Sequence, residues 1–273
     1  TQWHHQIVLQ WIFLMIHKTP KVTPSISLFA ASTARPMSTS INDLAQPIGA
    51  PVPGWTPRPQ PTGVTLAGRH CLLEPLQAER HAADLDAAYR LAPDPRAWTY
   101  MFAGPFDTPQ DYLRYAQGAA QSTDPRHFAV VDRTTGKAVG TLALMRIDPT
   151  HGVIEVGNVM FSPLLQQTPA STEAQFLLMA YVFDTLGYRR YEWKCDSLNA
   201  PSRRTAARLG FQFEGIFRQA VVYKGRNRDT AWFSVIDTEW PLLRQAFEAW
   251  LSDDNQDAQG RQRRSLTQVR ESL

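Results

Sequence analysis

One strand–helix–strand crossover set among hairpins restricts what this chain can become more than any other feature of its sequence. Residues 170–186, ASTEAQFLLMAYVFDTL, place Ala174, Leu177, Leu178, Tyr181 and Val182 at helical spacing, and Gly187 ends the run. HGVIEVGNVMFS (151–162) reads as a strand before that helix, and YEWKCD (191–196) alternates as a strand after it. Gly157 in mid-strand predicts a bulge or a close backbone approach. Hairpins flank this unit. HFAVVD and KAVGTLALMRID meet around a TTG turn, and FQFEGIFRQAVVYKG is followed by RDTAWFSVIDTEW. A first strand at 69–76 precedes helices at 78–92 and from Pro109, the latter with Thr108 as N-cap. A short helix capped by Asn199 and closed by Gly210, and a last helix at 239–251, complete the pattern. Hairpins with one crossover predict a mixed α/β or α+β sheet.

At 273 residues the chain can bury a core without disulfide or metal staples. Its net charge of +3 comes from Lys18, Lys21 and Arg35, since 1–36 hold no acid and the remainder balances. The body therefore carries no nucleic-acid footprint. Cys71 and Cys195 are the only cysteines, which fits a reducing, cytoplasmic setting and excludes a disulfide framework. The apolar run at 6–16 is too short to span a membrane, which takes about 20 residues. Residues 1–36 read as upstream sequence before Met37, or alternatively as a cleaved targeting peptide, and are set apart from the fold. Six prolines between 47 and 61 predict that 37–62 is an extended arm free of helix and sheet. Residues 252–273 read as a polar disordered tail. No histidine, cysteine or carboxylate grouping has metal-ligand spacing.

An ordered series of motifs between 151 and 240 resembles the GNAT acyltransferases, and within them the ribosomal-protein-alanine acetyltransferase subgroup. It comprises IEVGNVMFSP, the helix start STEA, CDSLNAPSRRTAARLGFQFEGIFR and RDTAWFSVIDTEW. The resemblance implies a seven-stranded, mostly antiparallel sheet with helices on both faces, occupying 63–251. It also implies acetyl-CoA as co-substrate and a primary amine as acceptor, either a protein N-terminus or a small molecule, in a monomer or homodimer. The alternative is an acyl-CoA-binding sensor or scaffold that no longer turns over.

The family's pyrophosphate loop falls on Gln166, Gln167, Thr168, Pro169, Ala170 and Ser171, followed by Thr172. Pro169 and Ser171 stand where small residues are usual. Proline has no N–H, so the cradle is expected to use the amides of Thr168, Ala170, Ser171 and Thr172 with two hydroxyls. The family's pantetheine and thiolate contacts fall on Asn199 and Ser202; helix capping alone also accounts for Asn199. The family's general-acid tyrosine position holds Ala206, which leaves Ser202 or water to protonate the thiolate. An amide near Val159 or Met160 would polarise the thioester carbonyl. Arg204, with Arg203, either reaches the 3′-phosphate or lines a solvated helix face. Glu155, a carboxylate in an apolar strand, is either a base for the amine or the partner of an arginine across the sheet. Trp98, Tyr100 and Phe102, with Phe106, either line an acceptor slot or pack an irregular loop.

Overall fold

The computed structural model describes residues 39–273; the reading of 1–36 as a leader, and Met37 itself, lie outside them. Residues up to Trp55 form one unit and Thr56–Leu273 another. In the first, β1 (Thr39–Ile41) and β2 (Pro47–Gly49) pair antiparallel. Asn42 Oδ1 shapes their turn by accepting the amides of Leu44 at 3.0 Å and Gln46 at 2.9 Å. The expectation of an arm without sheet is therefore corrected. Pro47 opens its strand, a position where a missing N–H costs little.

The second unit is an eight-stranded sheet ordered β3-β4-β5-β6-β7-β8-β10-β9. Its strands are β3 (Leu66–Ala67), β4 (Cys71–Pro75), β5 (Arg126–Asp132), β6 (Ala138–Asp148), β7 (Val153–Phe161), β8 (Arg190–Asp196), β9 (Gln212–Tyr223) and β10 (Arg226–Ile236). The strand beyond the expected seven is the two-residue β3. Every neighbouring pair is antiparallel except β7 and β8, the two strands that the crossover joins. The sheet is mixed and mostly antiparallel, as the hairpin pattern predicts.

Helices cover both faces. α1 (Ala78–Tyr89) and α2 (Pro109–Gln121) pack Leu85, Tyr89, Tyr112 and Ala116 over Ala129, Val131 and Met160. α2 starts at a capping box in which Thr108 and Asp111 satisfy each other's backbone amides. α3 (Pro169–Ala180) continues as a π turn through Thr185. With α4 (Ala200–Leu209) and α5 (Trp240–Leu251) it closes the main core over Ile154, Val156, Tyr191, Trp193 and Phe233. Gly210 ends α4 with φ 98°, and a Cβ there would meet Leu243 Cδ2 at 2.5 Å.

The segment 252–273 is folded, against expectation. A last helix, α6 (Leu266–Glu271), buries Leu266 and Val269 in the main core. Its Ser265 and Gln268 form a second capping box, and Arg270 Nη1 donates to Arg208 O at 3.2 Å. Two apolar residues three apart suffice to dock one helical face, a signal too brief to stand out among arginines and acids. None of the described helices is long and apolar enough to cross a membrane.

His127 of β5 is buried, and that burial lowers its imidazole to about 4. The unfolded chain, with a histidine near 6.5, then binds the proton more tightly than the folded one. Stability is expected to be complete above 6.5 and to fall by about 3 kcal/mol as pH drops through 4. Urea unfolding of His127→Leu beside wild type across that range should remove this part of the slope.

Candidate active site

The parallel ladder between β7 and β8 stops early. Val153, Ile154, Glu155 and Val156 pair with Arg190, Tyr191, Glu192 and Trp193. Beyond that point Gly157, Met160 and Phe161 pair with β6, while Lys194, Cys195 and Asp196 pair with β10. A wedge therefore opens between the two strands at their carboxyl ends. The β7 register shifts there, with Asn158 at φ 49°, so the bulge expected around Gly157 is present. Gly157 also makes room for Met145, whose Sδ a Cβ would approach to 2.3 Å and so displace. Tyr89 OH donates to Met160 O at 3.1 Å and pins the strand beyond the bulge. Each strand leads into a helix, so the N-termini of α3 and α4 both lie at the carboxyl end of the pair that forms the wedge.

The α3 end differs in detail from expectation. Pro169 is the first helical residue and Thr168 the N-cap. The Thr168 amide, counted as a phosphate donor, is engaged by Leu165 O at 3.3 Å. The Ser171 amide bonds Thr168 Oγ1 at 3.3 Å. The two hydroxyls donate within the loop, Thr168 Oγ1 to Leu165 O and Ser171 Oγ to Thr168 O, each at 2.7 Å. Gln166 clips its amide to Phe161 O at 2.7 Å, and Thr172 is buried and accepts from Arg208 Nη2 at 3.0 Å. Among the described residues the Gln167 and Ala170 amides keep no acceptor in the chain. Capping chemistry thus competes with the cradle for the same donors. Arg204 is exposed, and Arg203 donates to Ser197 O at 3.3 Å.

At the start of α4, Asn199 Oδ1 accepts the Ser202 amide at 3.2 Å, the capping arrangement. Ser202 Oγ accepts from Trp193 Nε1 at 2.9 Å. Trp193 is the last rung of the parallel ladder, so this hydroxyl stands at the edge of the wedge, with its proton within reach of the Cys195 sulfur. Ala206 is fully buried. The phenols of Tyr188, Tyr191 and Tyr223 are engaged or enclosed and supply no general acid in its place. Tyr188 OH donates to Pro59 O at 3.2 Å, Tyr191 lies in the core, and Tyr223 OH donates to Asp196 Oδ2 at 2.8 Å. Burial and the Asp196 contact push the Tyr223 phenol up to about 12. Cys195 is buried, and its thiol is pushed up by that burial, which suits a packing residue and not a nucleophile.

Glu155 is 2% exposed and has the partner across the sheet that was the alternative to a base. Its Oε2 accepts from Arg146 at 2.7 Å and Lys194 at 3.0 Å. Lys194 also pairs with Glu192 at 2.7 Å and lies 3.7 Å above the Trp232 ring. Oε1 points toward Gly157, 3.5 Å from where a Cβ would stand. One carboxylate oxygen is thus held by cations and the other faces the bulge.

The acceptor-side loop divides in two. Trp98 packs edge-on against Tyr89 and Phe106, with ring centroids 5.5 and 5.3 Å apart, and so serves the helix packing. Tyr100 reaches Leu198 O at 3.3 Å, and Phe102 lies 5.5 Å from the Tyr223 ring, so both face the β8–β10 side. Lys224 Nζ donates to Trp98 O and Gly104 O, and Arg226 Nη2 to Thr99 O, which ties the loop to the β9–β10 turn. These cations, Arg146 and Glu173 were missed by sequence reasoning. The KGRNRD run (224–229) was the available signal and read only as the ends of two hairpin strands with the link between them.

A family model for the acetyltransferase (GNAT) domain matches residues 71–212, which span the wedge and both helix starts. The chain belongs to the GNAT acetyltransferases. A GCN5-related N-acetyltransferase from Brucella melitensis is 51% identical, with a TM-score of 0.79 over 81% of this chain and 100% of that one. A GNAT acetyltransferase from Chromobacterium violaceum is 39% identical, with a TM-score of 0.67 over 72% of this chain and 98% of its own. The N-acetyltransferase p20 of Bacillus licheniformis is 29% identical over 160 residues, 58% of this chain and 89% of that protein. This GNAT enzyme has, among the described residues, no group of three or more histidine, cysteine or carboxylate side chains able to hold a metal. At the α3 N-terminus the uncommitted Gln167 and Ala170 amides are the donors that would be available to an acetyl-CoA pyrophosphate.

Proposed function

We propose that this GNAT enzyme moves an acetyl group from acetyl-CoA to a primary amine by direct attack in a ternary complex. The observation that carries the reading is the wedge beyond Val156 and Trp193, with the Ser202 hydroxyl at its edge. Acetyl-CoA supplies the activated acetyl thioester. The Gln167 and Ala170 amides and the α3 dipole hold its phosphates. Amides of β7 near Val159 and Met160, on the side that β8 has left, polarise the carbonyl. Glu155 Oε1 takes one proton from the ammonium before attack; the second, lost from the nitrogen after attack, passes through the Ser202 hydroxyl to the departing thiolate, so that the serine ends as it began. The resemblance to ribosomal-protein-alanine acetyltransferases points to an α-amine as acceptor. Protein from Met37 onward should bind acetyl-CoA by calorimetry and release thiol with members of an amine and N-terminal peptide panel. Binding without thiol release across the panel would instead mark a sensor or scaffold; no binding at all would defeat both readings.

Ser202→Ala removes a proton donor, and its rate loss should be on the order of a hundredfold with acetyl-CoA affinity little changed. It also leaves Trp193 Nε1 without its acceptor, at a cost of about 1–3 kcal/mol. An unchanged kcat would assign the proton to water.

Pro169→Gly restores an amide at the first helical position. A charge-assisted bond to phosphate is worth about 1.5–3 kcal/mol, against about 0.4–1 kcal/mol for the added backbone freedom. The difference of about 0.5–2.6 kcal/mol means that acetyl-CoA should bind about twofold to eightyfold more tightly. Weaker binding would mean that Pro169 shapes the helix start and does not face the phosphates.

A further inference from the structure

Arg228 lies in β10 close to where β8 ends, and it is 8% exposed. A guanidinium so enclosed ordinarily has a carboxylate partner. Here Nε donates to Thr230 Oγ1 at 3.2 Å, and among the described residues neither Nη has an acceptor. The guanidinium lies to one side of a pair of touching rings, 5.3 Å from Phe102 and 5.9 Å from Tyr223, which are themselves 5.5 Å apart. The charge is close enough to act on Tyr223 and on Cys195. Nearby acids are engaged elsewhere. Asp196 accepts from Tyr223 OH and from the Leu198 amide, and Asp229 from the Gln219 amide and Asn227. Lys224 and Arg226, the other cations of the turn, are held by backbone carbonyls of the acceptor loop.

We infer that Arg228 is a specificity residue that receives the carboxylate of the acceptor, so that the amine acetylated is a small amino acid-like molecule carrying both groups. A planar, permanently charged fork packed against one side of an aromatic pair is organised for bidentate contact with a carboxylate. A protein N-terminus offers no carboxylate beside its amine. Phe102 is 53% exposed, which leaves the ring and the guanidinium reachable from solvent on that side.

The inference rests on the proposed acetyl transfer, and the test separates the two. Phenylalanine and alanine are compared with phenylalaninamide and alaninamide, as ligands of the coenzyme A-loaded protein by calorimetry and as acceptors by thiol release. Wild type should favour each acid over its amide by at least tenfold in binding. Arg228→Gln should lose that preference with coenzyme A affinity and melting temperature retained, and Arg228→Lys should recover part of it. Equal binding of acid and amide by wild type, or no binding of either, overturns the inference whatever the variants do. A preference that survives in Arg228→Gln overturns the assignment to Arg228. Carboxylate-dependent binding without thiol release from any amine would remove the proposed transfer and leave the role of Arg228 standing.

Discussion

Glu173→Ala is expected to lower the unfolding free energy by about 4–5 kcal/mol, a large part of what holds a domain together. The residue sits in the first turns of α3 and is 4% exposed. Its carboxylate accepts three backbone amides of the turn between β3 and β4: Arg69 at 2.7 Å, His70 at 2.7 Å and Cys71 at 2.9 Å. Removing it leaves the buried Cys71 N–H and the part-buried Arg69 and His70 N–H groups unanswered, each worth up to about 1–3 kcal/mol. Glu173→Gln keeps the shape but turns an NH2 toward donors, so roughly half that loss is expected. Gly68→Ala should act in the same direction, because its Cβ would stand 2.4 Å from the Glu173 carboxyl. Urea unfolding reads all three. A loss below about 1 kcal/mol for Glu173→Ala would show that water reaches the turn amides.

Glu155→Gln separates two roles of one side chain. If Oε1 takes the proton from the amine, kcat should fall by about a hundredfold to ten-thousandfold with acetyl-CoA affinity unchanged. The stability cost should be smaller than for an isolated buried pair. Lys194 keeps Glu192 at 2.7 Å, and Arg146 is half exposed, so about 2 kcal/mol is expected. A rate loss under tenfold alongside that destabilisation would leave Glu155 only the task of holding Arg146 and Lys194 against the sheet. Steady-state kinetics and urea unfolding on one preparation decide between these outcomes.

The elements of the fold were legible because their signals are local. Thr108 with Pro109, Asn199 with Gly210, and alternating runs around TTG each state a boundary within a few residues. The bulge at Gly157 was legible for the same reason. The C-terminal helix was not, since its apolar face is Leu266 and Val269 alone and its meaning lies in what they meet. Of the site, Ser202 and the α3 start were visible through motif order. The engagement of the Thr168 amide and of the two loop hydroxyls was not, because it depends on how tightly the cap closes. Glu155 was visible as an odd carboxylate in an apolar strand. Its partners Arg146 and Lys194 come from two neighbouring strands, and only register brings them together. Arg228 was hidden at the start of a strand, in a run rich in cations, where nothing local tells a solvated charge from an enclosed one.

The one parallel pair in the sheet also bears on how the protein reaches its working form. Each antiparallel neighbour of β6 or β10 that a tight turn supplies can zip from that turn outward, with little chain to gather in. Val156 and Trp193 meet only after α3 and its π turn have laid down across the sheet. Contacts between distant parts of a chain must overcome loop-closure entropy before they return anything, and they form late. The cleft bounded by that pair thus comes together after the hairpins, as does the β4–β5 pair, whose strands lie still farther apart in the chain. A protein caught short of completion would hold much of its secondary structure and no place for the substrate.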